Sequence, residues 1–483
     1  MSSAQQFTPK GPSSGSQRLG RPVLTTLDAI AQSLAIGPVF SAAFVAFLIA
    51  GASGVAAPLA VLIGAVGVLA LGWVITLYAR RYAGAGAIYD YLRRVSPPLG
   101  LFSAGTYFIG TLVLHTAGYL AIGFLASQIL QGYLNVNIPW WALALVSAVL
   151  ISAVNHTGIR ITTRVQLTLT TLSMLPLLLL ALVILVKGGD AGLTLQAFNP
   201  FNIPSAPIGV PAAGLFPGIL FGILLFVGFE TAASLGEETA NPRRSIPRAV
   251  IGTVLISAAT YLIIIYASDI GFGVNHYKDW AMAGPLALDT LATRYVGIWL
   301  AIIIDIAVFL DALAVTSAFM ATTSRGWFAL ARHGFLPSAL ASMSRFRTPL
   351  GGNLLAFIAA LLVITGTTIG QVVNQLDTPT IFSIVFGIMS SLGSLLIEAI
   401  YIALAVTAIR LLLAEPGRWW GWLILPIAIV TPLLGIYGSV VPFPPSPLPP
   451  ASETASATRP TTESSTPVSS RGLSARRAMR ADT

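Results

Sequence analysis

Runs of apolar residues about twenty long recur along the chain, and most of its Arg and Lys residues fall in or at the edges of the short stretches between them. A helix needs about 20 apolar residues to cross the hydrocarbon core of a bilayer. On that spacing the pattern predicts spanning helices near residues 25–50, 55–79, 99–131, 139–156, 164–187, 213–240, 248–270, 296–323, 352–370, 380–410 and 419–441. Two of these eleven segments are interrupted. The first, TLDAIAQSLAIGPVFSAAFVAFLIAG, contains Gly37-Pro38; Pro38 has no amide hydrogen and crowds the preceding turn, while Gly37 tolerates a break. The sixth, AAGLFPGILFGILLFVGFETAASLGEE, carries Gly228 and a charged Glu230 well inside it.

Composition sharpens this into a membrane domain. Apolar residues make up 55% and charged residues 9% of the chain, with a mean hydropathy of +0.83. Soluble chains carry about 25% charged residues, so too little polar surface is present to cover a water-soluble particle. The net charge of +9 does not form a nucleic-acid stripe. Lys occurs only at 10, 187 and 278, and Arg falls in clusters between apolar runs. A cytoplasmic N-terminus places Arg80, Arg81, Arg93, Arg94, Arg160, Arg164, Arg243, Arg244, Arg248, Arg325, Arg332, Arg345, Arg347, Arg410 and Arg418 inside. Only Lys187, Lys278 and Arg294 then lie in outer connections, the asymmetry of the positive-inside rule. A multi-pass protein of the cell (inner) membrane is expected. With no Cys, disulfides and thiolate metal sites are excluded. Residues 1–24 read as a polar cytoplasmic tail without a cleavable signal, and 442–483 as a Pro-rich stretch followed by a disordered tail.

The two interruptions gain meaning from their positions. Either alone is an ordinary kink, because Gly and Pro are common in membrane helices. Segment one opens the first five segments, however, and segment six opens the next five. Broken helices at matching places in two halves point to a binding site built from inverted repeats near the bilayer midplane. Positive half-helix ends there suit a carboxylate, and freed carbonyls suit an ammonium or a cation.

Three stretches carry a resemblance. They are YARRYAGAGAIYDYLRRVSPPLG (Tyr78 to Gly100), GFETAASLGEETANPRRSIPRAV (Gly228 to Val250) and SRGWFALARHGFLP (Ser324 to Pro337). Together they resemble the amino acid–polyamine–organocation permeases over roughly residues 22–445. The resemblance implies an all-α integral membrane fold of the leucine-transporter type. Its five-plus-five inverted repeats would cover about 25–187 and 213–410, with an extra helix at 419–441. It also implies alternating access and an amino acid or related amine as cargo. The family's carboxylate contacts fall on Ile36, Gly37, Pro38 and Val39, and its ammonium contacts on Phe226, Val227 and Gly228. Phe229 stands as a candidate aromatic gate. Pro38 replaces a residue that would offer an amide. The family's usual twelfth helix is expected to be missing. Asn241-Pro242 and Ile246-Pro247 are expected to end segment six and start segment seven. Arg243, Arg244 and Arg248 are expected to pin that loop, with Glu237 and Glu238 as partners.

Ionisable groups inside spans are costly and default to functional candidates. Glu230, beside the break, is read as a substrate-site or gating residue. Asp305 and Asp311 are divided between function and helix tying, while Glu398 and His115 are read as structural. For energy coupling, Ser173 aligns where proton-coupled relatives often carry Lys. Thr316 and Ser317 match the hydroxyls of a sodium site, and oxygen ligands suit a hard cation. Protonation of Asp311 or Glu230 is the alternative, so the coupling ion is H⁺ or Na⁺. No cofactor and no metal are expected. The residues that a metal carrier of the same fold needs are absent, and so are enzyme motifs such as H-E-x-x-H and G-x-S-x-G. A polyamine or other organocation carrier, and a sensor without flux, remain as alternatives.

Overall fold

The computed structural model describes residues 24–34, 37–82, 88–157, 159–190, 192–200, 215–414 and 419–440. The expected tails, apart from Leu24, and Ile36 lie outside these residues, as does the stretch on which the expected lack of a twelfth helix rests. Among them the chain is helical, with strand pairing limited to isolated bridges. The first interrupted segment is α1 (Thr26–Leu34), α2 (Pro38–Phe44) and α3 (Ala46–Ser53). Then come α4 (Ala57–Ala79), α5 (Ile88–Val95), α6 (Pro97–Leu134), α7 (Trp140–His156) and α8 (Ile159–Lys187). The sixth segment begins with α9 (Leu215–Leu224), followed by α10 (Pro242–Phe272), α11 (Tyr277–Ala283) and α12 (Ala287–Tyr295). The chain continues through α13 (Ile298–Arg332), α14 (Leu350–Val373), α15 (Thr378–Leu413) and α16 (Gly421–Val440).

Every predicted segment therefore carries helix. Nine helices among the described residues are long and apolar enough to cross a membrane, and α7 and α9 are shorter apolar helices. In lipid the backbone must satisfy its own hydrogen bonds, which is why apolar runs of this length form helices. The side chains sort accordingly. On α8, Leu172, Leu175, Leu179, Leu182 and Val186 follow one another at three- and four-residue intervals and are exposed. Ser173, Leu177, Leu180, Ala181 and Ile184, on the other face, are buried. An apolar stripe without protein cover is the surface a membrane helix turns to lipid. Inside, α6 packs against α13 and α15, α4 against α9 and α10, and α8 against α13. The α4–α9 contact is close because both helices offer glycine: a Cβ on Gly64 would lie 2.8 Å from the Gly222 backbone carbon.

The structure departs from the predicted segments in three places. Segment six is α-helical only to Leu224. Turns cover 225–230 and a 3₁₀ helix runs over Thr231–Leu235, so no α-helix follows the break. Its amides bond three residues back, Phe226 to Ile223, Val227 to Leu224 and Phe229 to Phe226, a tighter winding than an α-helix. Segment one bends a second time at Val45, between α2 and α3. Finally, α10 starts at Pro242, so Pro247 lies inside its second turn and marks no boundary.

Candidate functional site

The first interruption lies at Gly37, whose φ of 79° is left-handed. A Cβ there would collide with Val315 and the Asp311 carboxylate, both on α13, so only glycine fits. The amides of Val39 and Phe40, at the start of α2, are not free. Both donate to Asp311 Oδ2, at 3.1 and 2.7 Å. Ser173 Oγ on α8 lies 3.3 Å from Asp311 Oδ1 and 3.0 Å from the Thr170 carbonyl. A fully buried carboxylate thus caps the second half of the broken helix.

The second interruption is built the same way. Gly228 has a φ of 109°, and its amide donates to Glu230 Oε2 at 3.0 Å. Tyr107 Oη on α6 donates to Glu230 Oε1 at 2.8 Å. Glu230 is buried and holds the unwound segment to α6. Tyr261 on α10 joins the two interruptions: its hydroxyl lies 2.6 Å from the Leu225 carbonyl and 3.3 Å from that of Gly37. Before the first break, Thr231 Oγ1 donates to the Gln32 carbonyl and Ser33 Oγ accepts from the Ala232 amide. The breaks therefore meet.

A cavity of about 40 Å³ lies beside them, lined among others by Phe40, Ser41, Val227, Val315, Phe386 and Ser390. Of the residues singled out in the sequence, Gly37, Pro38, Val39, Gly228, Glu230, Ser173 and Asp311 surround the breaks. Val227 lines the cavity, and Phe226 packs edge-on against Tyr261 at 5.0 Å. Phe229 turns instead to Tyr401, 5.7 Å away. Thr316 and Ser317 lie more than a turn beyond Asp311 and do not join it. Thr316 bonds its own helix at Ala312 and accepts from His115 Nδ1 through its carbonyl. Ser317 accepts from Asn155 on α7. Asp305 is likewise separate: it accepts from Tyr133 at 2.7 Å, and the same hydroxyl lies 3.4 Å from Asp289.

Protein packs to either side of the cavity. On one side Phe40, Phe44, Phe124, Phe382 and Phe386 stack, with Phe124 and Phe382 only 4.3 Å apart. Past them, a polar pocket of about 860 Å³ opens among Gln128, Gln131, Asn137, Trp140 and Gln371. On the other side the three sequence motifs converge. Arg325 pairs with Glu238 at 3.2 Å, both buried, and Arg332 with Glu237 at 2.7 Å. Tyr89 Oη and His333 Nδ1 are 3.1 Å apart. Burial, then the Arg93 and Arg332 guanidinium groups, push the His333 imidazole down to about 4. The expected pairing of Glu237 and Glu238 with Arg243, Arg244 and Arg248 is thus replaced by pairing with α13. Leu24 completes this end, bonding Glu238 and Ala240 through its backbone.

Tyr107, Tyr261, Gln32 and Ser33 were not singled out in the sequence. They are isolated polar residues in apolar helices, and their role exists only through partners far along the chain.

A multi-pass membrane protein, helical over its described residues and with two broken helices meeting beside a small cavity, belongs to the class of membrane transport proteins. The amino acid permease family model matches residues 24–461, and the chain is a member of that family. It is 26% identical over 315 residues to an uncharacterized transporter of Rhizobium meliloti, covering 64% of this chain and 63% of that one. Against the low-affinity putrescine importer PlaP of Escherichia coli K12, identity is 25% over 299 residues, or 59% of this chain and 62% of that one. Against the branched-chain amino acid permease BcaP of Bacillus subtilis, it is 28% over 148 residues, 30% of each. The match thus spans about three fifths of the first two of these relatives. The family and these relatives are permeases and transporters, not enzymes.

Proposed function

We propose that this chain is a secondary transporter that carries an amino acid or related amine across the inner membrane by alternating access. Its helices follow the five-plus-five arrangement, with repeats at 25–187 and 213–410, and its N-terminus is cytoplasmic. The observation that carries this reading is the meeting of the two breaks at Tyr261, beside a cavity flanked by aromatic rings on one side and ion pairs on the other. A cavity of about 40 Å³ has room for a few waters at most, so cargo enters only when the packing on one side opens. That is the behaviour alternating access requires. Two relatives, a putrescine importer and a branched-chain amino acid permease, support cargo with an amino group.

The test is uptake into proteoliposomes of the full chain, across a panel of labelled amino acids and aliphatic amines, with Na⁺ and proton gradients imposed separately. Uptake driven by one gradient assigns the coupling ion. Absence of uptake and of exchange for every compound overturns the reading.

A further inference from the structure

Resting on the reading that cargo binds at the breaks, we propose that Asp311 is the specificity-determining residue, and that it selects cargo bearing an ammonium and no carboxylate beside it. The amides exposed at both interruptions are already engaged. Val39 and Phe40 donate to Asp311, and Gly228 donates to Glu230. A carboxylate on the cargo would find the protein's own carboxylate in its place and would be repelled across a medium of low dielectric. An ammonium meets the opposite situation. Carbonyl oxygens of Gly37 and Leu225 face the junction, sharing one phenolic hydrogen, and the hydroxyls of Ser41 and Ser390 line the cavity.

Charge bookkeeping points the same way. Two amides donate to Asp311, and the Ser173 hydroxyl lies 3.3 Å from its other oxygen with its one hydrogen also in reach of the Thr170 carbonyl. None is a cation. The basic residue nearest to it on its own helix, Arg325, is roughly 20 Å further along and is paired with Glu238. Buried charges are ordinarily paired or neutralised, and among the described residues no cation pairs with the fully buried Asp311, so its ionised form leaves one positive charge wanting. Val315, one turn on from Asp311, lines the cavity, so the unmatched charge acts at the place cargo occupies. A zwitterion would leave the negative charge unmatched; an amine cation matches it.

The experiment compares amines with their parent amino acids in proteoliposomes of the full chain: putrescine with ornithine, and isoamylamine with leucine. The expected result is uptake of each amine at least about tenfold better in kcat/KM than its parent, a difference of about 1.4 kcal/mol. Equal or better uptake of the parents overturns the inference and leaves transport at the breaks standing. No uptake of any of the four while other compounds of the panel are carried overturns the inference alone, and no uptake of any compound of the panel overturns the transport reading with it. Asp311→Asn separates charge from capping, because its amide oxygen still accepts from Val39 and Phe40. The variant is expected to raise the amine KM about tenfold or more while kcat and the thermal midpoint stay near wild type. Unchanged amine KM in that variant overturns the inference. Should Asp311→Asn fail to give a monodisperse protein, the wild-type comparison decides alone.

Discussion

Asp311 reaches across 272 residues of chain to cap Val39, and nothing in its neighbourhood, DIAVFLDALAV, announces that partner. Its charge inside an apolar run flagged it as a candidate, but its role depends on packing that brings α13 against α2. Gly37 was legible for the opposite reason. Its requirement is local, a left-handed φ followed by proline, and local demands are written in adjacent residues. Tyr261 belongs to the first kind. Tyr261→Phe removes the hydrogen offered to the Leu225 carbonyl at 2.6 Å, whereas the Gly37 carbonyl keeps the Ser41 amide. The expected cost is about 1–3 kcal/mol of stability, since an orphaned buried acceptor forfeits its desolvation cost. Thermal unfolding in detergent measures it, and a midpoint equal to wild type would show that the phenol bears no load.

Among the elements, α13 does the most. Its middle supplies Asp311 and Val315 to the break, and its end supplies Arg325 and Arg332 to the ion pairs on one side. Removing one member of a buried pair strands the other, at about 3–5 kcal/mol, whereas replacing both by apolar residues is often neutral. Glu238→Ala is therefore expected to lower the thermal midpoint more than Glu238→Leu combined with Arg325→Met. Equal losses would mean that the pair is not coupled. His333, at the end of the same helix, adds a pH dependence. Its native value of about 4 lies below the usual 6.5, so between these values the unfolded chain binds the extra proton. Stability then rises as pH increases from about 4 to 6.5, and falls on acidification through that window. Replacing His333 by Gln should flatten the dependence in that window, which a series of melts across pH would reveal. The motifs made this end recognisable as a unit, yet not its pairing. Glu237 and Glu238 stand closest in sequence to Arg243 and Arg244, and only the fold brings α13 nearer.

For the whole molecule, the helical bundle was the most legible property, because length and apolarity alone decide whether a segment can lie in lipid. The extent of the second break was not. Gly228 marked a point, whereas fifteen or so residues depart from α-helix, held by tertiary bonds to Gln32, Ser33 and Leu24 that no local pattern encodes. The proposed orientation is testable because the chain contains no Cys and is its own labelling background. Lys278→Cys and Arg345→Cys both replace exposed residues. A membrane-impermeant maleimide applied to intact cells is expected to label the first, and the second only after permeabilisation. The reverse pattern would invert the molecule in the membrane.

The phenol of Tyr261 has one more consequence. It owns a single hydrogen and stands within reach of two carbonyls, one at each break. The two are not equal: the phenol is 2.6 Å from Leu225 and 3.3 Å from Gly37, which also accepts from the Ser41 amide at 3.1 Å. A donor arriving at Leu225 would free the phenol for Gly37, and any influence of one break on the other through this hydroxyl would be reciprocal.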